Sequence, residues 1–234
     1  MNFTDRLFEG SKEIWMGYIE HPFIQGIIDG SLEKEKFERY LVQDYLYLKE
    51  YAKVFAMGVV KAETMEEMKF FYNSVKGTME DENELHIRIL KENGYKIEDV
   101  EKMKEYLDNT SYTSYMNAIA SKDGIKEIAA AILPCTWSYN FIGKYIIENH
   151  SDKINGNPYK EWIELYGDAG FTEFTDKWID YTNKLCNDIS EEDKLNLINI
   201  FVNCSIYEMK FWDMAYGEVN KDELLRENEI ISCN

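Results

Sequence analysis

A chain of 234 residues, 45% hydrophobic and 15% aromatic, is long enough to bury a sizeable core within one domain. Its net charge of −18 lacks the clustered Lys and Arg that phosphate binding requires, which argues against nucleic acid and anionic membrane surfaces as partners. With three prolines, no Pro/Gly/Ser-rich linker and no internal repeat, residues 1–234 read as a single domain.

Apolar residues recur at helical spacing nearly throughout, and alternating Val/Ile/Thr runs bounded by hairpin turns are missing. The pattern predicts an all-α, single-domain helical bundle. The start, Met1-Asn2-Phe3-Thr4-Asp5, has neither a basic stretch nor an apolar core of the secretory kind, and the longest apolar run, Ile128 to Leu133, is far shorter than a membrane span. A soluble, cytoplasmic protein is expected.

The first helix is predicted from Thr4 to Ile19, followed by turns at His21-Pro22 and Asp29-Gly30. The second, Lys34 to Lys61, carries Tyr40, Asp44, Tyr47, Tyr51 and Phe55 at steps of four, three, four and four, an aromatic face broken by one acid. A carboxylate in such a stripe must be paired, hydrogen-bonded or protonated, because burying an isolated charge is prohibitive. Asp44 is therefore a candidate recognition residue; the plainer alternative is an edge aspartate bonded by Gln43 or a tyrosine.

A third helix is predicted from Thr64 to Asn93, stopped by Gly94, and a fourth from Ser111 to Ser121, with Tyr112 and Tyr115 as neighbouring aromatics. The fifth, Gly124 to Asn149, contains Leu133-Pro134-Cys135-Thr136-Trp137-Ser138-Tyr139-Asn140-Phe141-Ile142-Gly143. Proline inside a helix removes a donor and crowds the preceding turn at a cost of roughly 3 kcal/mol. At helical spacing Cys135 and Tyr139 share a face at the expected bend, an arrangement suited to a nucleophile with a polar neighbour. A buried core cysteine is the competing reading.

Further helices are predicted from Pro158 to Gly167, with Trp162 and Tyr166, from Phe171 to Asn187, with Phe171 and Phe174, and from Ser190 to Gly217, capped by Ser190 ahead of Glu191-Glu192-Asp193. A short last helix is expected near Lys221 to Asn228. On the long C-terminal helix Phe201, Cys204, Glu208, Phe211 and Ala215 form one stripe whose only acid is Glu208. Burial raises a glutamate's pKa toward neutrality, which makes Glu208 a candidate general acid and base; the competing reading is a glutamate bonded to a tyrosine hydroxyl or a lysine across the bundle. Cys204 is a rival nucleophile without the proline.

Cys135, Cys186, Cys204 and Cys233 form no C-x-x-C pair, so zinc and a disulfide framework are not expected. His21, His86 and His150 lack the Glu-x-x-His spacing of dinuclear bundle sites; Glu82 and His86, four apart, keep a metal option open.

Together, His21-Pro22-Phe23, Asp29-Gly30-Ser31-Leu32 and Phe37-x-x-Tyr40-Leu41-x-Gln43-Asp44-Tyr45-x-Tyr47-Leu48 resemble the opening of the TenA family, the class II thiaminases or aminopyrimidine aminohydrolases. Pro134-Cys135-x-x-Ser138-Tyr139 is similar to its nucleophile segment, and Trp162-Ile163-x-x-Tyr166 to its tyrosine-bearing helix. Ser205-x-Tyr207-Glu208-x-x-Phe211-Trp212-Asp213-Met214-Ala215-Tyr216 resembles its C-terminal signature. The matches run in order from residue 21 to residue 216.

The resemblance implies a heme-oxygenase-like fold, a homotetramer and a place in thiamine salvage. The implied reaction is hydrolysis of 4-amino-5-aminomethyl-2-methylpyrimidine to the 5-hydroxymethyl pyrimidine, with cleavage of thiamine as a companion activity. It further implies Cys135 as nucleophile, Glu208 as proton-transfer acid, Asp44 as the carboxylate that holds the aminopyrimidine, and Tyr47, Tyr112, Tyr139, Tyr166 and Phe211 around the substrate. Tyr115 lies close enough to Tyr112 to compete for its place. The expected partner is the small pyrimidine substrate, and no cofactor is needed. Two other functions fit the same residues: a pyrimidine-binding or regulatory protein without catalysis, and a metal-dependent oxidase on the same scaffold.

Overall fold

In a computed structural model that describes residues 2–217, with the side chains of residues 81 and 82 outside the description, helix follows helix and no strand occurs among the described residues. The expected short helix at Lys221 to Asn228, Cys233, and the Glu82 side chain of the Glu82–His86 pair lie outside the described residues. No described helix is long and apolar enough to cross a membrane.

The order is α1 (Phe3–Glu20), α2 (Pro22–Asp29), α3 (Lys34–Lys61), α4 (Met65–Lys76), a π-helical turn (Gly77–Glu82), α5 (Asn83–Glu92), α6 (Ile97–Val100), α7 (Leu107–Lys122), α8 (Ile125–Asn149), a 3-10 turn (Ser151–Lys153), α9 (Lys160–Gly167), α10 (Ala169–Leu185) and α11 (Glu191–Tyr216). The ends follow elementary capping chemistry. Thr64, Asp168 and Ser190 each accept a backbone N–H of the first turn they precede, and Gly30 ends α2 in the left-handed region at φ 68°.

Helix α8 is the axis of the bundle. Residues Ile128 to Thr136 are all buried, the mark of a helix wrapped on every side, and α1, α3, α7, α9, α10 and α11 pack around it. Its midpoint therefore lies where side chains of several other helices converge. Pro134-Cys135 lies within that buried stretch, just before the midpoint.

Several elements differ from the sequence reading, the short α6 among them, which the sequence did not announce. The segment between the turns at His21-Pro22 and Asp29-Gly30 is itself a helix, α2, with Pro22 at its first position, where the missing N–H costs nothing. The helix expected over Thr64 to Asn93 is interrupted by the π turn, which rotates α5 relative to α4 without leaving helical backbone angles. Helix α7 begins four residues earlier than expected, at Leu107. Helix α9 begins at Lys160, so Pro158 lies outside it rather than in its first turn.

Candidate active site

The aromatic stripe of α3 faces inward along its whole length: Tyr40, Asp44, Tyr47, Tyr51 and Phe55 are all buried. Phe211 of α11 packs edge-on against both Tyr40 and Tyr47, at 6.2 and 5.7 Å between centroids, and so spans the turn that holds Asp44. The acid is 3% exposed and mid-helix, not at an edge. The neighbouring Gln43 amide binds the Lys104 carbonyl, the Tyr106 N–H and Asn109, fixing the approach to α7. The Tyr40 hydroxyl, itself an acceptor from Trp162 Nε1 at 3.1 Å, lies 3.3 Å from Asp44 Oδ2. His86 Nδ1 lies 3.2 Å from the same oxygen.

Cys135 is 6% exposed on α8. The Tyr51 hydroxyl reaches across from α3 to donate to the Ile132 carbonyl at 2.8 Å and to meet Thr136 Oγ1 at 3.0 Å, bracketing the proline turn with polar contacts. The helix runs through Pro134 as a single element. One turn beyond the cysteine, Tyr139 packs on Tyr166 at 4.6 Å and on Trp212 at 5.1 Å.

Glu208 is 2% exposed and accepts a 2.8 Å hydrogen bond from the Tyr112 hydroxyl. Burial first, then the charge of Glu208, pushes the Tyr112 phenol well above its ordinary pKa, so it stays a donor. Tyr115 is half-buried and receives instead the Asn203 amide, on the outer side of α7. Between the two sequence candidates, Tyr112 is therefore the one beside the acid.

Electrostatic coupling ties the groups together. Tyr47 and Tyr112 each sense both Cys135 and Glu208, and Tyr139 senses both Asp44 and Glu208. Tyr47 also packs on Tyr112 at 5.2 Å. The structure thus brings Asp44, Tyr47, Tyr112, Cys135, Tyr139, Tyr166, Glu208 and Phe211 into one buried region drawn from α3, α7, α8, α9 and α11. Cys204 is fully buried one turn before Glu208, and burial followed by that neighbouring charge pushes its thiol well above the ordinary value. The thiolate, the reactive form, is disfavoured there.

Phe171 and Phe174 lie at one margin of this region, where they line a cavity of about 300 Å³ with Asn73, Gly77, Thr78 and Leu165. Phe171 meets Tyr166 edge-on at 5.1 Å, which joins the cavity margin to the buried aromatic cluster. Among the described residues no group of three or more His, Cys, Asp or Glu is placed to hold a metal ion.

The residue that sequence reasoning missed in this role is His86. It stands at 0% exposure on α5, with Nδ1 toward Asp44 and Nε2 3.5 Å from the Tyr166 hydroxyl. The usable signal was the spacing of Asn83, His86 and Leu90, three and four apart, which is the buried face of α5.

Comparison with known proteins identifies the family. The family model for the TENA/THI-4/PQQC family matches residues 10–218. An aminopyrimidine aminohydrolase of Halalkalibacterium halodurans is 38% identical over 225 residues, covering 93% of this chain and 97% of that one. The solved TenA homologue from P. horikoshii OT3 superposes with a TM-score of 0.81 at 32% identity, over 92% of this chain and 99% of that one. At the level of fold alone, a Shewanella denitrificans domain with a heme oxygenase-like fold superposes with a TM-score of 0.69 at 14% identity, over 96% of this chain and 94% of that one.

Proposed function

The chain belongs to the TENA/THI-4/PQQC family, and from that membership we propose that it is an aminopyrimidine aminohydrolase of thiamine salvage. It hydrolyses 4-amino-5-aminomethyl-2-methylpyrimidine to the 5-hydroxymethyl pyrimidine and ammonia, with thiaminase II activity as the companion reaction. The observation that carries this reading is near full-length similarity to a curated aminohydrolase. A buried thiol, two buried carboxylates and an aromatic lining in one region support it.

The chemistry follows from the side chains. A 4-aminopyrimidine presents an exocyclic amine beside a ring nitrogen, an edge that the Asp44 carboxyl hydrogen-bonds while aromatic faces enclose the ring. Cys135 passes its thiol proton to the Glu208 carboxylate and adds as thiolate to a ring carbon. The displaced electron pair moves through the ring to the methylene and breaks its C–N bond, and Glu208 gives the departing amine its proton. Water then adds at the methylene and returns a proton to Glu208. The C–S bond breaks, and the thiolate leaves with its electron pair.

One water enters and one ammonia leaves, so the cycle needs neither oxidant nor reductant. Splitting a difficult displacement in this way is the advantage of covalent catalysis, and proton transfer by a placed acid typically contributes about 10²–10⁴-fold. Tyr112 holds Glu208 in position for both transfers.

By the same reading the protein works in the cytoplasm as a homotetramer. The test of function is direct: purified protein releases ammonia stoichiometrically with hydroxymethyl pyrimidine from the aminomethyl substrate. Tight binding of that substrate without release would replace the hydrolase by a binding protein.

A further inference from the structure

His86 is a buried titratable group to which the reaction above assigns no part. It belongs to α5, which packs on α3 below the π turn, and its ring sits edge-on to Tyr40 at 6.1 Å. A site needed only for packing is better served by an aliphatic residue such as Leu90 on the same face, because a buried polar ring costs free energy unless its nitrogens find partners. Both nitrogens of His86 approach polar groups of the site: Nδ1 lies 3.2 Å from Asp44 Oδ2, and Nε2 lies 3.5 Å from the Tyr166 hydroxyl.

Those two neighbours select one tautomer. A carboxylate only accepts and a phenol can donate, so a single proton on Nδ1 matches both sides of the ring. Burial supports that neutral form by pushing the imidazole pKa down to about 3. The Nδ1 contact is of hydrogen-bonding length yet off the axis of a well-aligned bond.

We infer that His86 is a positioning residue for the aminopyrimidine-binding carboxylate: located by Tyr166 on one side, it steers the plane of Asp44 on the other. Tyr40 meets the same Oδ2, so tyrosine and histidine fix that oxygen from two directions and set the orientation in which Asp44 meets an amine edge. This inference rests on the reading of Asp44 as the group that holds the pyrimidine.

The experiment measures calorimetric binding of the hydroxymethyl pyrimidine, with KM and kcat for the aminomethyl pyrimidine, in intact protein. The variants are Asp44→Ala, His86→Leu, His86→Asn, His86→Gln and the double variant Asp44→Ala/His86→Leu. Replacing His86 by Leu weakens binding and raises KM by about 10-fold, the loss of one hydrogen bond to a charged group, while kcat changes less than about 3-fold. Asn, which keeps an N–H near the Nδ1 position, recovers most of the binding; Gln, which reaches toward Tyr166, does not. The double variant binds no more weakly than Asp44→Ala alone.

Wild-type binding by His86→Leu, equal loss in the Asn and Gln variants, or losses that multiply in the double variant overturns the inference. If His86→Leu does not fold, the Asn-versus-Gln comparison decides. Wild-type binding by Asp44→Ala overturns the reading of Asp44 and His86 together, whereas weak binding there with tight binding in His86→Leu removes only the role of His86.

Discussion

The Tyr112 hydroxyl, on α7, donates a 2.8 Å hydrogen bond to Oε1 of Glu208, on α11, with both side chains buried. No local rule links these two residues. The bond exists because α7 and α11 both pack on α8, and it leaves Glu208 with a directed donor inside an aromatic wall.

Tyr112→Phe removes that donor and little else. A hydrogen bond to a buried charged group is worth about 1.5–3 kcal/mol, so the variant unfolds at lower denaturant by that amount. It also loses on the order of 10-fold in kcat, since Glu208 is less well held for proton transfer. Tyr115→Phe, whose hydroxyl receives only Asn203, changes kcat by less than about 2-fold. Equal effects of the two variants would contradict the assignment.

Two buried thiols permit a matched comparison. Cys135→Ser abolishes ammonia release and leaves binding of the hydroxymethyl pyrimidine within about 3-fold, because the aromatic enclosure and Asp44 remain. Cys204→Ala keeps most of the activity and costs roughly 1 kcal/mol or more of stability, a small buried side chain being lost from the core. Retained turnover in Cys135→Ser would refute the nucleophile.

The crossing of α8 and α9 depends on two glycines. A Cβ at Gly143 would come within 2.5 Å of the Gly167 nitrogen and 2.6 Å of the Tyr166 carbonyl carbon. Those are backbone atoms and cannot swing aside. Gly143→Ala should therefore cost about 1–3 kcal/mol by overpacking and raise KM by displacing Tyr166; urea unfolding and steady-state kinetics on the same preparation check both.

Acid stability has a term from His86. The folded-state pKa is about 3 against an ordinary 6.5, so between those values the unfolded chain binds a proton that the folded chain does not. Stability falls as pH drops from 6.5 toward 3, with a limiting slope of about 1.4 kcal/mol per pH unit, and above 6.5 the group contributes nothing to the slope. His86→Asn lacks this term, while His21, whose pKa burial also lowers, is common to both proteins. The stability advantage of wild type over His86→Asn thus shrinks between pH 7 and pH 5 in urea unfolding; a constant gap would contradict the neutral buried imidazole.

Much of the site was readable before any coordinates. The i, i+4 stripe of Tyr40, Asp44, Tyr47, Tyr51 and Phe55 announces one buried face, and an acid within it is conspicuous because the stripe is otherwise aromatic. The boundaries of α3 and α11 followed from caps and periodicity for the same reason. The π turn was not readable, since a change in hydrogen-bond period has no residue signature of its own. His86 escaped with it. Its orientation toward Asp44 depends on how far that turn rotates α5.

Sequence by itself determined an all-helical chain, the inward faces of its helices, and which acids and thiols lie on those faces, because helical periodicity is a local property of the backbone. Tertiary packing alone decided the partners across helices: Tyr112 rather than Tyr115 beside Glu208, and His86 between Asp44 and Tyr166. These pairings join residues on separate helices, and the distance between such groups is set by how the helices cross around α8. No spacing along the chain encodes that crossing directly.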